Sequence, residues 1–186
     1  MSLLNHWSNP TPLFFQIINS VPGRVGEAFP VFDGDIPARW RDWMTRGWFD
    51  RESDGYPYWS HLHHCASWWE YRDLPNIHFV HDADLLADLE GQMRRLASVL
   101  AIPVPEDRWT HLADACTFVS MKEEAERSAG EMKLFWKDGA STFFNKGTNG
   151  RWRDVLSVED LSFYDAAAAR TLTLACRRWL EEGGVV

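Results

Sequence analysis

The sequence lacks any apolar run approaching the roughly 20 residues that a membrane-crossing helix needs. Its start, Met1-Ser2-Leu3-Leu4-Asn5-His6-Trp7, has no cationic region leading into a long apolar one, as a secretory leader would. It also lacks an excess of positive charge, because 19 Lys and Arg against 27 Asp and Glu leave a formal net charge of -8. Duplex affinity is carried by phosphate neutralisation, so a broad nucleic-acid surface is excluded, and any polyanion has to be met by a local basic cluster. Cysteine is scarce: Cys65, Cys116 and Cys176 are odd in number, widely spaced and flanked by apolar residues. That pattern predicts reduced core thiols rather than a disulfide frame or a zinc knuckle. The expectation is a cytoplasmic chain with neither membrane nor nucleic acid as partner.

What is present fits one domain over residues 1–186, with 45% hydrophobic and 25% charged residues among 186. Such a balance excludes disorder. Leu3, Leu4 and Trp7 have helical spacing, but Pro10 and Pro12 interrupt it, so the chain is expected to open inside an element. Residues 21–58 are rich in Gly, Pro, Asp and Trp around one amphipathic piece, Ala38 to Met44, and read as a loop-dominated lid. A helix is predicted over 60–72, ended by Pro75-Asn76, and then a strand at Ile77-His78-Phe79-Val80-His81. Helical spacing of Leu85, Leu89, Met93, Leu96 and Leu100 predicts a helix over 84–100 with Asp84 as its N-cap. Shorter helices are expected over 106–114 and 119–127, and a capping-box spacing at Ser157 to Asp160 opens a last helix that Gly183-Gly184 closes. The chain is therefore mostly α-helical with one clear strand. A lone buried strand leaves backbone groups without ladder partners, at about 1–3 kcal/mol each, so the rest of a sheet must come from another chain or from further sequence.

The segment Phe143-Phe144-Asn145-Lys146-Gly147-Thr148-Asn149-Gly150-Arg151-Trp152 carries the most chemistry. Two glycines let the backbone approach a ligand and turn N–H groups toward an anion, while Lys146 supplies a compact charge for a phosphate. A surface turn between helices is the plainer alternative. In its surroundings the segment resembles the Arg-Lys-Gly-x-x-Gly-x-Trp motif with which sulfotransferases using 3′-phosphoadenosine 5′-phosphosulfate (PAPS) bind the 3′-phosphate. Other stretches follow in the family's order: Ser67-Trp68-Trp69 with Asp73-Leu74-Pro75-Asn76-Ile77, then Phe79 to Leu85, Glu90 to Leu96, and Thr117-Phe118-Val119-Ser120-Met121-Lys122. Met1 to His6 is similar to the segment after the family's Arg-Asp strand, where a Ser also touches the 3′-phosphate.

The resemblance implies an α/β fold, the P-loop-NTPase-like sulfotransferase fold, present here in its C-terminal part only. It implies PAPS as sulfuryl donor, 3′-phosphoadenosine 5′-phosphate as product, and a hydroxyl or amine acceptor, which it leaves open among small molecule, lipid, carbohydrate and protein. By position it assigns nucleotide contacts to Ser2, Phe118, Phe144, Asn145, Lys146 and Gly147, with Phe118 stacking on adenine and Asn145 replacing an Arg. The family's Pro-Lys-Ser-Gly-Thr-Thr loop for the 5′-phosphosulfate does not occur in this sequence, and its His base and the 3′-phosphate Arg lie upstream of the segment matching Met1. No catalytic residue is therefore carried over, and this chain alone is expected to be inactive. The alternatives are a non-catalytic remnant that binds a nucleotide or partner, and a portion of a longer polypeptide. No metal is expected, although His61 and His64 could share a helix face; they are expected to line the acceptor side or lie on the surface. Trp40, Trp43 and Trp48 are the candidates for acceptor contact. Arg153 to Val158 is similar to the family's short dimer motif, so a homodimer is possible, though capping by Ser157 explains the same residues.

Overall fold

The computed structural model describes residues 6–128 and 130–186. Helix α1 (Pro12–Asn19) begins where the prolines stand: Thr11 caps it by accepting from Phe14 N–H, and Pro12 takes a first-turn position that needs no N–H. Helix α2 (Ile36–Thr45) is capped by Asp35, and α3 (His61–Trp69) by Ser60. Then follow α4 (Asp82–Ala87), α5 (Leu89–Val99), a 3₁₀ turn at Glu106–Arg108, α6 (Trp109–Ala115) and α7 (Phe118–Ser128). The short helices α8 (Met132–Phe135) and α9 (Ala140–Phe143) lead to a 3₁₀ turn at Arg151–Asp154, and α10 (Val158–Thr171) and α11 (Leu174–Glu182) complete the order.

The core forms where α2, α3 and α10 meet. Trp43, Met44, Leu62, Ala167 and Ala168 are buried there together with Trp7. Ala167 and Ala168 are fully buried, and their small side chains let the neighbouring helices approach α10 closely. Segment 21–58 is consequently more than a lid, because its helix α2 supplies Trp43 and Met44 to the core. The first turn of α10 is fastened through Asp160, whose side chain is 2% exposed. Its Oδ2 accepts from Ser157 N–H and Oγ–H at 3.0 and 2.8 Å, its Oδ1 accepts from Arg41 Nε at 2.7 Å, and its carbonyl accepts from Trp40 Nε1 at 2.9 Å. Ser157 Oγ in turn accepts from Asp160 N–H, completing the capping box that the sequence predicts. Within the stretch similar to the family's dimer motif, Ser157 is thus engaged in a helix cap.

Several expectations need correction. No strand forms among the described residues; residues 77–81 carry no regular secondary structure, because no other described segment pairs with them in a ladder. The helix expected over 84–100 is broken at Asp88, which caps α5 by accepting from Gly91 N–H at 2.9 Å. Asp84 is not a cap: its carboxylate accepts from Gly184 N–H, while the ring of His81 caps α4. The final helix is likewise divided, because Thr173 leaves helical geometry and caps α11 through Cys176 N–H. Of the three thiols only Cys176 is buried; Cys65 is half-buried and Cys116 exposed, so the expected core placement fails for Cys116. An antiparallel bridge between Pro10 and Trp136, flanked by Thr11 N–H to Phe135 O and Lys137 N–H to Asn9 O at 2.8 Å each, has no counterpart in any sequence pattern.

Leu62, 1% exposed at the centre of the core, gives a first expectation: Leu62→Ala costs about 2–5 kcal/mol, read from urea unfolding. A second concerns Asp54, 2% exposed and held by Ser60 Oγ–H. Burial raises its pKa above the ordinary 3.8. The folded chain therefore binds this proton more readily than the unfolded one, so Asp54 opposes folding at neutral pH, and that opposition is relieved as pH falls through the raised value toward 3.8. Asp54→Asn is expected to raise the urea midpoint at pH 7, with the gain shrinking on acidification.

Candidate functional site

The segment after α9 turns twice through left-handed glycine geometry, at Gly147 with φ 61° and Gly150 with φ 79°. At Gly147 the reason is steric as well as torsional. A Cβ there would lie 2.6 Å from Cγ of Phe118, so the backbone is pressed against the phenyl ring at the start of α7. Phe144 meets the same ring edge-on at 6.2 Å, and Phe143 meets Phe144 at 5.2 Å. The structure therefore brings Phe118 to Phe144 and Gly147 from a distant position in the sequence. Lys146 is exposed and makes no ion pair among the described residues, and Asn145 is half-buried beside it. Ser2 lies outside the described residues.

The other side of the turn forms one wall of an open groove of about 940 Å³ between α2, α3, α10 and α11. Trp40, Trp43, His61, Leu62 and Tyr164 line it opposite Arg151, Trp152 and Arg153. Two of the three tryptophans expected near an acceptor thus face a single cavity. Trp48 does not, because it stacks on Tyr56 at 5.5 Å and fills the space beside Gly26. His61 also faces the groove; burial, and then His64, hold its imidazole below the ordinary pKa, so it is a neutral ring at pH 7. His64 instead meets Trp68 at 6.4 Å. Tyr164, which donates to Glu181 at 3.0 Å, is raised by burial and does not ionise at any physiological pH. Arg177, also on the groove, is neutralised by Asp165 and Glu181 at 2.5 and 2.7 Å.

One residue beside the turn escaped sequence reasoning. His6 packs on Phe143 at 4.7 Å and on Trp136 at 5.6 Å, and its Nδ1 is buried with no hydrogen-bond partner among the described residues. Burial and then the charge of Arg151 push its pKa down, which places a second neutral imidazole next to the glycine turn. No local motif marks it. It arrives through the pairing of residues 9–11 with 134–137, a tertiary event.

Comparison with known proteins matches residues 44–175 to the family described as sulfotransferase domain. A glycolipid sulfotransferase of Mycobacterium bovis is 35% identical over 104 residues, which is 55% of this chain and 32% of that protein. Rat sulfotransferase 1A1 is 25% identical over 117 residues, 62% of this chain and 40% of that protein. The matched stretches thus span about a third to two fifths of the length of these two relatives. The crystal structure of mouse sulfotransferase SULT7A1 complexed with PAP superposes with a TM-score of 0.64 at 15% identity, covering 98% of this chain and 58% of that one. It shows a shared fold.

The close approach at Gly147 makes it the most sensitive position of the turn. Gly147→Ala is expected to lose about 1–2 kcal/mol from left-handed backbone alone, with a further loss from the clash with Phe118. A double-mutant cycle with Phe118→Ala isolates the steric part, which the second substitution should recover.

Proposed function

The chain belongs to the sulfotransferase domain family, and we propose that it carries the part of such a domain that recognises the nucleotide of PAPS. The observation that carries this reading is the cradle at Gly147. The backbone lies where a side chain would collide with Phe118, and an exposed Lys146, without an ion-pair partner among the described residues, precedes it. That arrangement suits a phosphate, met by an ammonium and a backbone N–H, beside an aromatic ring that suits a purine. Lys146, Gly147 and Ser2 would hold the 3′-phosphate, and Phe118 and Phe144 the adenine. Asn145 offers a neutral amide where the family motif has a charged fork, so its contact is the weaker one. When bound, PAPS supplies the activated sulfuryl group. The groove beside Arg151 and Trp152 is the side from which an acceptor hydroxyl or amine would approach, and its aromatic lining suits a sugar or ring. Because the relatives named for an acceptor are glycolipid sulfotransferases, a carbohydrate hydroxyl is the first acceptor to try.

The second reading, a nucleotide-binding relic without turnover, is favoured by Asn145 at the motif's Arg position. Both readings require the nucleotide to bind. Calorimetry on the 186-residue chain should show Lys146→Ala weakening 3′-phosphoadenosine 5′-phosphate by roughly tenfold or more, the worth of a charge-assisted contact. Adenosine 5′-phosphosulfate, which has no 3′-phosphate, should change little. Ser2→Ala should follow the same pattern with a smaller loss, since its bond is neutral. Equal losses for the two nucleotides, or no binding of either by the unaltered chain, would remove the assignment. Labelled PAPS is expected to give no sulfated product with this chain alone, and reproducible turnover would show that these residues suffice.

A further inference from the structure

The three thiols are free in the structure, and the nucleotide reading uses none of them. Two of them stand on neighbouring helices. α3 and α11 pack against each other, and contacts at both ends fix their register. At the start, Leu172, two residues ahead of α11, packs on the core cluster that holds Leu62 of α3. At the finish, Trp69 meets Trp179 at 5.8 Å. The helices therefore run side by side in the same direction. Cys65 lies one turn beyond Leu62 and one turn before Trp69, while Cys176 lies one turn before Trp179, so both thiols sit on the shared face, midway between the two contacts. Burial agrees with this placement: Cys176 is 1% exposed although Leu174 and Ala175 beside it are exposed. Electrostatics agrees as well, because burial and then Cys176 push the Cys65 thiol up to about 11. Cys116 is set apart, exposed at the end of α6.

We propose that Cys65 and Cys176 are a redox-sensitive pair that closes to a disulfide between α3 and α11 in the presence of a hydroperoxide. Cys65 is the attacking thiol. It is half-buried, and its Sγ lies 3.8 Å from Nε2 of His61, one turn earlier on α3. The neutral imidazole takes the thiol proton as the sulfur attacks one peroxide oxygen. The O–O bond breaks, the sulfur is left as a sulfenic acid, and the departing oxygen collects the proton from His61. Cys176 Sγ then attacks the sulfenic sulfur: the S–S bond forms, the S–O bond breaks, and the second thiol proton leaves with the hydroxide as water. Two thiols are oxidised and one peroxide is reduced. A thiol held protonated by burial reacts slowly, which sets the pair to answer sustained oxidant. The bond fixes α3 on α11 directly behind His61 and Leu62, which line the groove, so the oxidation state reaches the groove wall. The proposal requires no nucleotide and is separate from the reading of the Gly147 turn.

Hydrogen peroxide added to the reduced 186-residue chain, followed by intact mass and by peptide mapping without reductant, tests it. A species about 2 Da lighter is expected, with Cys65 and Cys176 in one linked peptide pair and the starting mass restored by dithiothreitol. Its urea midpoint should exceed that of the reduced chain, because the bridge closes a long loop. Cys116→Ala should form the same bond, whereas Cys65→Ala and Cys176→Ala, each checked for helix content by circular dichroism, should form none within the chain. His61→Gln should slow closure by roughly tenfold or more while leaving the final yield unchanged, which a merely structural role for His61 does not predict. The mapping uses the unaltered chain, so it decides even where Cys176→Ala fails to fold. Oxidation of the exposed Cys116 while Cys65 and Cys176 remain free thiols, a bond that maps to Cys116, or a Cys65–Cys176 bond that forms only in urea would each overturn the proposal.

Discussion

Asp160 is the point through which the rest of the structure is registered. A carboxylate this buried must be fully satisfied, because removing its partners leaves a charge away from water. Ser157 supplies two donors and Arg41 a third, and these contacts hold the pKa below the ordinary 3.8. The same residue accepts Trp40 through its carbonyl, so one turn of α10 fixes both the start of that helix and the rotation of α2 against it. Leu156 is buried just before the cap, and the glycine turn leads into it from the 3₁₀ turn at Arg151–Asp154. The groove wall formed by Arg151 and Trp152 thus depends on a carboxylate that is itself remote from any proposed ligand.

Local grammar accounts for what was readable. The capping box at Ser157, and Thr117 Oγ1 accepting from Ser120 N–H at the start of α7, are side chains that satisfy neighbouring backbone groups, and these need no tertiary information. Where local and tertiary demands compete, the reading fails. Leu85, Leu89 and Leu96 keep helical spacing across Asp88, yet Asp88 gains more as a cap for Gly91 than as a helical residue, and the break leaves the periodicity intact. Ile77 to His81 has strand composition and strand-like alternation of burial without becoming a strand, because a ladder is a property of two segments and composition describes one.

The candidate site divides along the same line. The glycine turn and Lys146 are visible because backbone geometry and charge are encoded within a few residues, and Phe118 is placed beside them by family resemblance and found there in space. His6 is different. Its neutral ring reaches the turn only because Pro10 pairs with Trp136, and no spacing within either segment records that pairing. Trp40 and Trp43 share the groove for a structural reason first: they pack on each other at 5.8 Å as part of α2, and only their outer surfaces line the cavity.

The pairing of residues 9–11 with 134–137 also bears on how the chain reaches this state. Thr11 Oγ1 donates to Leu134 O at 2.6 Å across 123 residues of sequence. Closing so long a loop costs entropy that grows with the logarithm of its length, and few bonds repay it at the junction itself. Trp7, the neighbour of His6, is itself buried in the core with Trp43, Met44 and Leu62, so the clasp is held by the packing of the segment beside it more than by its own few bonds.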